Sequence, residues 1–182
     1  LCGCDLDNNG SEEFIFGAYN DNIFIYESTG PNTYTQRWNK QLSSWAYPYA
    51  MACCNMDQDA NGYQELYVGD SYGQLFVITN TGDLTACSDS LIHDYGDAIN
   101  GMCCGNEDND TMNDLYLAMD DDNVHDLEFF GSDVTDYSHY KESIIGHDLN
   151  PGYNNAEAVH CTDLDGDGKR EVIAGYEGSS GD

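Results

Sequence analysis

The sequence predicts an all-β fold: tandem four-stranded antiparallel blades, about three and a half of them, joined by acidic loops. Three observations carry this expectation. One acidic motif recurs four times at near-even spacing. Each copy runs straight into a short strand, followed in the first three by a turn and a second strand. Helical periodicity is poor throughout.

The motif copies read Asp5-Leu6-Asp7-Asn8-Asn9-Gly10-Ser11-Glu12-Glu13, Asp57-Gln58-Asp59-Ala60-Asn61-Gly62-Tyr63-Gln64-Glu65, Asn106-Glu107-Asp108-Asn109-Asp110-Thr111-Met112-Asn113-Asp114 and Asp163-Leu164-Asp165-Gly166-Asp167-Gly168-Lys169-Arg170-Glu171. From Asp5 to Asp57, Asp57 to Asn106 and Asn106 to Asp163 the steps are 52, 49 and 57 residues. The repeats are set at 1–52, 53–101, 102–158 and a partial 159–182 of one domain.

After the first loop, strands are expected over 13–19 and 23–27, with 33–38 and 45–53 as the remaining two of that repeat. After the second come 65–70 and 74–79. After the third come 114–119 and, beyond an acidic turn at Asp120-Asp121-Asp122-Asn123, 127–130. The fourth copy reaches its first strand and stops near Tyr176. About four strands per fifty residues is the signature of a propeller blade.

The chemistry of the loops follows from their charge. The chain carries 34 Asp and Glu against 5 Lys and Arg, a net charge of −29. Such a balance leaves no basic patch for nucleic acid or anionic lipid. At 12% aromatic residues the chain still has the means to build a core, unlike a disordered acidic tail. The fold must therefore hold many carboxylates close together, and bound cations relieve that repulsion.

Each copy places oxygen side chains at positions 1, 3, 5 and 9, and in three copies Gly occupies position 6. Alternating oxygens around a Gly turn suit a hard cation with six to eight ligands, and calcium fits better than magnesium. A transition metal would draw on His or Cys, which these loops lack. An EF-hand needs a Glu at position 12 between helices; here that position is Phe16, Val68, Leu117 or Ala174. Up to four structural Ca2+ ions are expected, which would move the net charge from −29 to −21.

The repeats resemble the FG-GAP/VCBS family, the calcium-binding β-propeller repeats of integrin α-subunit heads and many secreted proteins. The pattern D-x-D-x-[DN]-G-x-x-[DE] carries the resemblance, and Phe16-Gly17-Ala18 echoes the family's own motif. What the resemblance implies is a ligand set. It comprises Asp5, Asp7, Asn9 and Glu13; Asp57, Asp59, Asn61 and Glu65; Asn106, Asp108, Asp110 and Asp114; and Asp163, Asp165, Asp167 and Glu171. Backbone carbonyls would come from position 7, at Ser11, Tyr63, Met112 and Lys169. The third loop departs from the pattern at Asn106 and Thr111 and is expected to be the weakest site; the fourth is nearest the ideal.

Propellers of this kind close with about six to eight blades. The offset ends suggest a piece of a larger ring, or a subunit whose neighbour completes its blade by strand addition, giving a head-to-tail filament.

Eight cysteines suggest disulfides and an oxidising compartment. Cys2, Cys54 and Cys103 lie three residues before their loops and are expected to be equivalent; Cys104 and Cys161 share the next place. Adjacent cysteines on a strand face opposite sides, so Cys53-Cys54 and Cys103-Cys104 should tie neighbouring repeats through different partners. Asn9 and Asn109 begin N-glycosylation sequons, Asn109 being the better acceptor because Asn9 is a proposed ligand.

No stretch approaches a membrane span. No nucleophile elbow, Walker loop or dinucleotide fingerprint is present, and the histidines show no zinc spacing. The expectation is a non-enzymatic, extracellular, calcium-stabilised structural or adhesive protein. Its partners would be further copies of itself or extracellular proteins or glycans. A ligand- or carbohydrate-binding module is the alternative, with a polysaccharide-lyase domain behind it.

Overall fold

The computed structural model describes residues 1–42, 46–57, 62–106, 112–131, 133–147 and 155–177. These form four antiparallel sheets in chain order. The first contains β1 (Cys2–Cys4), β2 (Glu13–Gly17), β3 (Asn22–Gly30) and β4 (Thr33–Gln41). The second contains β5 (Pro48–Cys54), β6 (Glu65–Asp70), β7 (Gln74–Thr79) and β8 (Ser88–Asp94). The third contains β9 (Ile99–Gly105), β10 (Asp114–Met119), β11 (Asn123–Phe129) and β12 (Tyr140–His147). The fourth pairs β13 (Ala156–Thr162) with β14 (Glu171–Tyr176). Each sheet is a meander in which consecutive strands are neighbours, the order of a propeller blade. Among the described residues no helix is long and apolar enough to cross a membrane.

The expected strands 65–70, 74–79 and 114–119 match to the residue. β11 begins four residues earlier than expected, because Val124, His125 and Asp126 pair with β12 despite the acidic flank. The expected strand 45–53 begins at Pro48; Trp45 lies outside the described residues.

The core lies between sheets. β6 and β10 are buried at every residue, as Leu66-Tyr67-Val68 and Leu115-Tyr116-Leu117 require. A strand apolar on both faces needs cover from both sides, and the flanking sheets supply it. One apolar cluster joins the first two sheets through Leu6, Ile15, Ile25, Val68 and Ile78. A second joins the middle two through Tyr67, Val77, Ile99, Leu117 and Phe129. A third joins the last two through Tyr116, Val124, Val159 and Cys161.

The glycine that closes the apolar triplet after a loop has a packing reason. A Cβ on Gly69 would lie 2.5 Å from Ile99 on the next sheet's first strand. At the matching Gly17 it would lie 2.7 Å from Pro48. At these two positions the first strand of the following blade crosses, with no room for a methyl group.

Candidate metal-binding loops

The loops between β1 and β2 and between β13 and β14 share one hydrogen-bonding plan. The strand register places Cys4 opposite Glu13 and Thr162 opposite Glu171, so both loops start and end at equivalent points. At position 2, Leu6 N–H donates to Glu13 Oε2 and Leu164 N–H to Glu171 Oε2, each at 2.7 Å. At position 6, Gly10 N–H donates to Asp5 Oδ2 at 2.8 Å and Gly168 N–H to Asp163 Oδ2 at 3.0 Å. At position 7, Ser11 N–H donates to Asn9 Oδ1 and Lys169 N–H to Asp167 Oδ1, each at 2.9 Å. Both position-6 glycines are left-handed, Gly10 at φ 88° and Gly168 at φ 92°, a region glycine enters without steric cost.

This plan turns acidic side chains inward over the backbone. Carboxylate oxygens of Asp5, Asp7 and Glu13 lie within 4.8 Å of one another, as do those of Asp163, Asp165 and Glu171. Glu13 is fully buried. Its Oε2 accepts from Leu6, but its Oε1 is buried without a hydrogen-bond partner. Burial is the main cause that pushes the Glu13 carboxyl up to about 7, and Asp7, Asp5 and Glu27 add to it by repulsion. A buried carboxyl with an unpaired oxygen, held close to two further carboxylates, is costly without a cation. Oxygen ligands of this number and spread fit a hard divalent ion.

The first loop is the more enclosed of the two. Gln64 N–H and Asn80 Nδ2 both donate to Leu6 carbonyl, at 3.2 and 3.0 Å, fixing the loop to the second sheet. Leu164, its counterpart in the fourth loop, is exposed. Asn9 is also exposed; its amide nitrogen donates to Asp7 Oδ2 at 3.0 Å and Glu27 Oε1 at 3.2 Å. Glu27 is in turn ion-paired with Arg37.

In the second loop Asp57, Tyr63 and Glu65 are described, and Asp59 and Asn61 lie outside the described residues. Met56 N–H donates to Glu65 Oε2 at 3.0 Å, the bond made by Leu6 and Leu164 in their loops. Cys54 stands opposite Glu65 as Cys4 stands opposite Glu13. Asn55 therefore occupies the place of Asp5, and Asp57 that of Asp7. The loop is two residues longer than its counterparts, which a count anchored on Asp57 does not reveal. Asn55 Oδ1 is buried without a hydrogen-bond partner.

In the third loop Asn106, Met112 and Asp114 are described, and Asp108, Asp110 and the sequon residue Asn109 lie outside. Asn106 Nδ2 donates to the Met112 carbonyl at 2.5 Å. The bond joins two residues expected to contribute to the same site and uses the Asn106 amide nitrogen, leaving its Oδ1 outside this contact.

Disulfides stitch the blades. Among the described residues Cys4 bonds Cys53, Cys54 bonds Cys104 and Cys103 bonds Cys161, each joining one blade's first strand to the next. Both adjacent pairs split their partners, as strand alternation requires. The expected equivalences of Cys2 with Cys103 and of Cys104 with Cys161 hold, and that of Cys54 needs correction. Cys4 and Cys54 face position 9; Cys53, Cys104 and Cys161 face position 10; Cys2 and Cys103 face position 11. Counting from the loops misplaced Cys54 because of the two extra residues.

A polar network around the buried His125 lies between the second and third blades, and residue spacing gave no signal for it. His125 Nε2 lies 2.9 Å from Asp121 Oδ2, and its Nδ1 bonds Glu142 Oε1. Tyr137 O–H donates to Glu142 Oε2 at 2.8 Å, and His93 stacks on Tyr137 at 4.0 Å. Burial raises the Asp121 carboxyl, but hydrogen bonds from Asn123 and His125 outweigh it and hold the group below the usual range.

No protein-family profile matches the chain. It is similar to the KICSTOR complex protein ITFG2 of Bos taurus, 25% identical over 152 residues. The match covers 79% of this chain and 27% of that relative, so the chain spans about a quarter of the relative's length.

Proposed function

We propose that this chain is a calcium-stabilised, disulfide-stitched module of FG-GAP type in an extracellular structural or adhesive assembly. The role is mechanical rather than catalytic, and further copies of the chain or extracellular proteins and glycans are its partners. The observation that carries this reading is the convergence of Asp5, Asp7 and Glu13 carboxylates within 4.8 Å of one another, with one Glu13 oxygen buried and unpartnered, together with the matching convergence of Asp163, Asp165 and Glu171. An ion bound there would draw the loop's ends together and fix the β1–β2 and β13–β14 junctions. Three disulfides between successive first strands support an oxidising compartment. The test is thermal unfolding in millimolar calcium and in excess chelator. A rise in Tm with calcium supports the reading, and an unchanged Tm refutes it.

A second reading, a ligand-binding module, rests on one surface. At the hairpin ends away from the acidic loops, the Tyr19 ring stacks on Tyr47 at 4.3 Å, Tyr47 lies near Tyr49, and Tyr19 is 83% exposed. Exposed aromatic faces suit sugar rings. A glycan array with wild type and Tyr19→Ala separates the readings: binding lost in the variant favours the module.

A further inference from the structure

The chain joins successive blades from two different register positions. The second blade reaches the third from position 9, through Cys54 to Cys104. The third reaches the fourth from position 11, through Cys103 to Cys161. In both cases the acceptor faces position 10 of the following blade. The first blade carries a cysteine at both donor positions, Cys4 at 9 and Cys2 at 11. Both face a single acceptor, Cys53. Cys4 holds the bond, Cys2 is a free thiol, and the sulfurs of Cys2, Cys4 and Cys53 all lie within 4.8 Å of one another.

We propose that Cys53 is shared between Cys4 and Cys2 by intramolecular thiol–disulfide exchange. The Cys2 thiolate attacks Cys53 Sγ. The Cys2–Cys53 bond forms as the Cys4–Cys53 bond breaks, and the electron pair leaves on Cys4 Sγ, which takes up a proton from solvent. The reverse step restores the starting bond, so no external oxidant or reductant is consumed. Burial pushes the Cys2 thiol up to about 11, so exchange is slow near neutral pH. The consequence is local. Cys4 directly precedes Asp5, so the Cys4–Cys53 bond pins the entry of the first acidic loop; transfer to Cys2 moves the pin two residues away while the blades stay joined. The other free thiol, Cys87, donates to the Leu84 carbonyl at 3.4 Å and is not among the three clustered sulfurs.

The test is differential alkylation with fragment-ion mapping on full-length protein equilibrated in a glutathione buffer. Free thiols take a first label before reduction and disulfide thiols a second label after it. In wild type the first label is expected on both Cys2 and Cys4, in separate molecules. In Cys4→Ser, Cys2 and Cys53 are expected to be protected together, and in the Cys2→Ser/Cys4→Ser double variant Cys53 becomes fully labelled. First label on Cys2 and Cys53 in Cys4→Ser, with Cys54 and Cys104 still protected as evidence of folding, overturns the proposal. Should Cys4→Ser fail to fold, wild type decides: first label confined to Cys2 overturns the proposal, and label shared with Cys4 supports it.

Discussion

Replacing Glu13 by Gln should have opposite effects with and without calcium. In the chelated protein the buried Glu13 carboxyl is raised from its ordinary 4.5 to about 7. A carboxyl whose folded value is raised favours folding below its unfolded value, and that contribution is lost as pH rises through the folded value. At pH 8 the ionised group therefore opposes folding, by at most about 3 kcal/mol at 1.36 kcal/mol per unit. Gln removes the charge and keeps an acceptor for Leu6 N–H, with the Asp5 and Asp7 carboxylates close by as acceptors for its amide. For a chain of this size a gain of that order is worth roughly 6–12 °C in Tm as an upper limit. In calcium the same change removes a charged ligand, and affinity should fall by about tenfold or more, on the order of 1.4 kcal/mol. The assay is differential scanning fluorimetry at pH 8 in chelator and in calcium, with calorimetric calcium titration alongside. A Glu13→Gln protein with the same loss of Tm in both conditions would refute the reasoning, since Glu13 would then be only a packing group.

Other expectations follow from the same features. Removing the Cys54–Cys104 bond with serines frees a segment closed across 50 residues; it should lower stability by about 4 kcal/mol by chain entropy, read as a lower denaturant midpoint against wild type. Gly69→Ala forces a methyl group to 2.5 Å from buried Ile99, and urea unfolding should show a loss of about 1–3 kcal/mol; no loss would mean the blades separate freely there. Asp165→Asn, on the exposed fourth loop, should weaken calcium binding at one site while leaving the stability in chelator within about 0.5 kcal/mol of wild type. A Tm that falls in chelator would assign Asp165 a structural role instead.

Much of the architecture was legible because the loops punctuate it. Leu66-Tyr67-Val68 and Leu115-Tyr116-Leu117 follow their acidic loops directly, and their strands fall where expected. The acidic residues in front of β11 obscured its start: His125 and Asp126 fell between the expected turn at 120–123 and the expected strand 127–130, yet pairing with β12 and the carboxylates around His125 hold them in the sheet. Asn55 was hidden by a well-formed motif two residues downstream, and only the register of Cys54 against Glu65 exposes it. The disulfide partners depend on how separate sheets align, which residue spacing does not encode. The network around His125 draws on β11, β12, the turn before β11 and the preceding blade, so no sequence window contains it.

The most direct test is calorimetric titration of the chelator-treated, disulfide-intact protein with Ca2+, with Mg2+ as control. The account predicts saturable calcium binding, with the enclosed first loop and the near-ideal fourth loop among the occupied sites. It also predicts much weaker magnesium binding and a matching rise in Tm. No heat of binding, together with an unchanged Tm, would contradict it and leave the acidic loops as solvated turns.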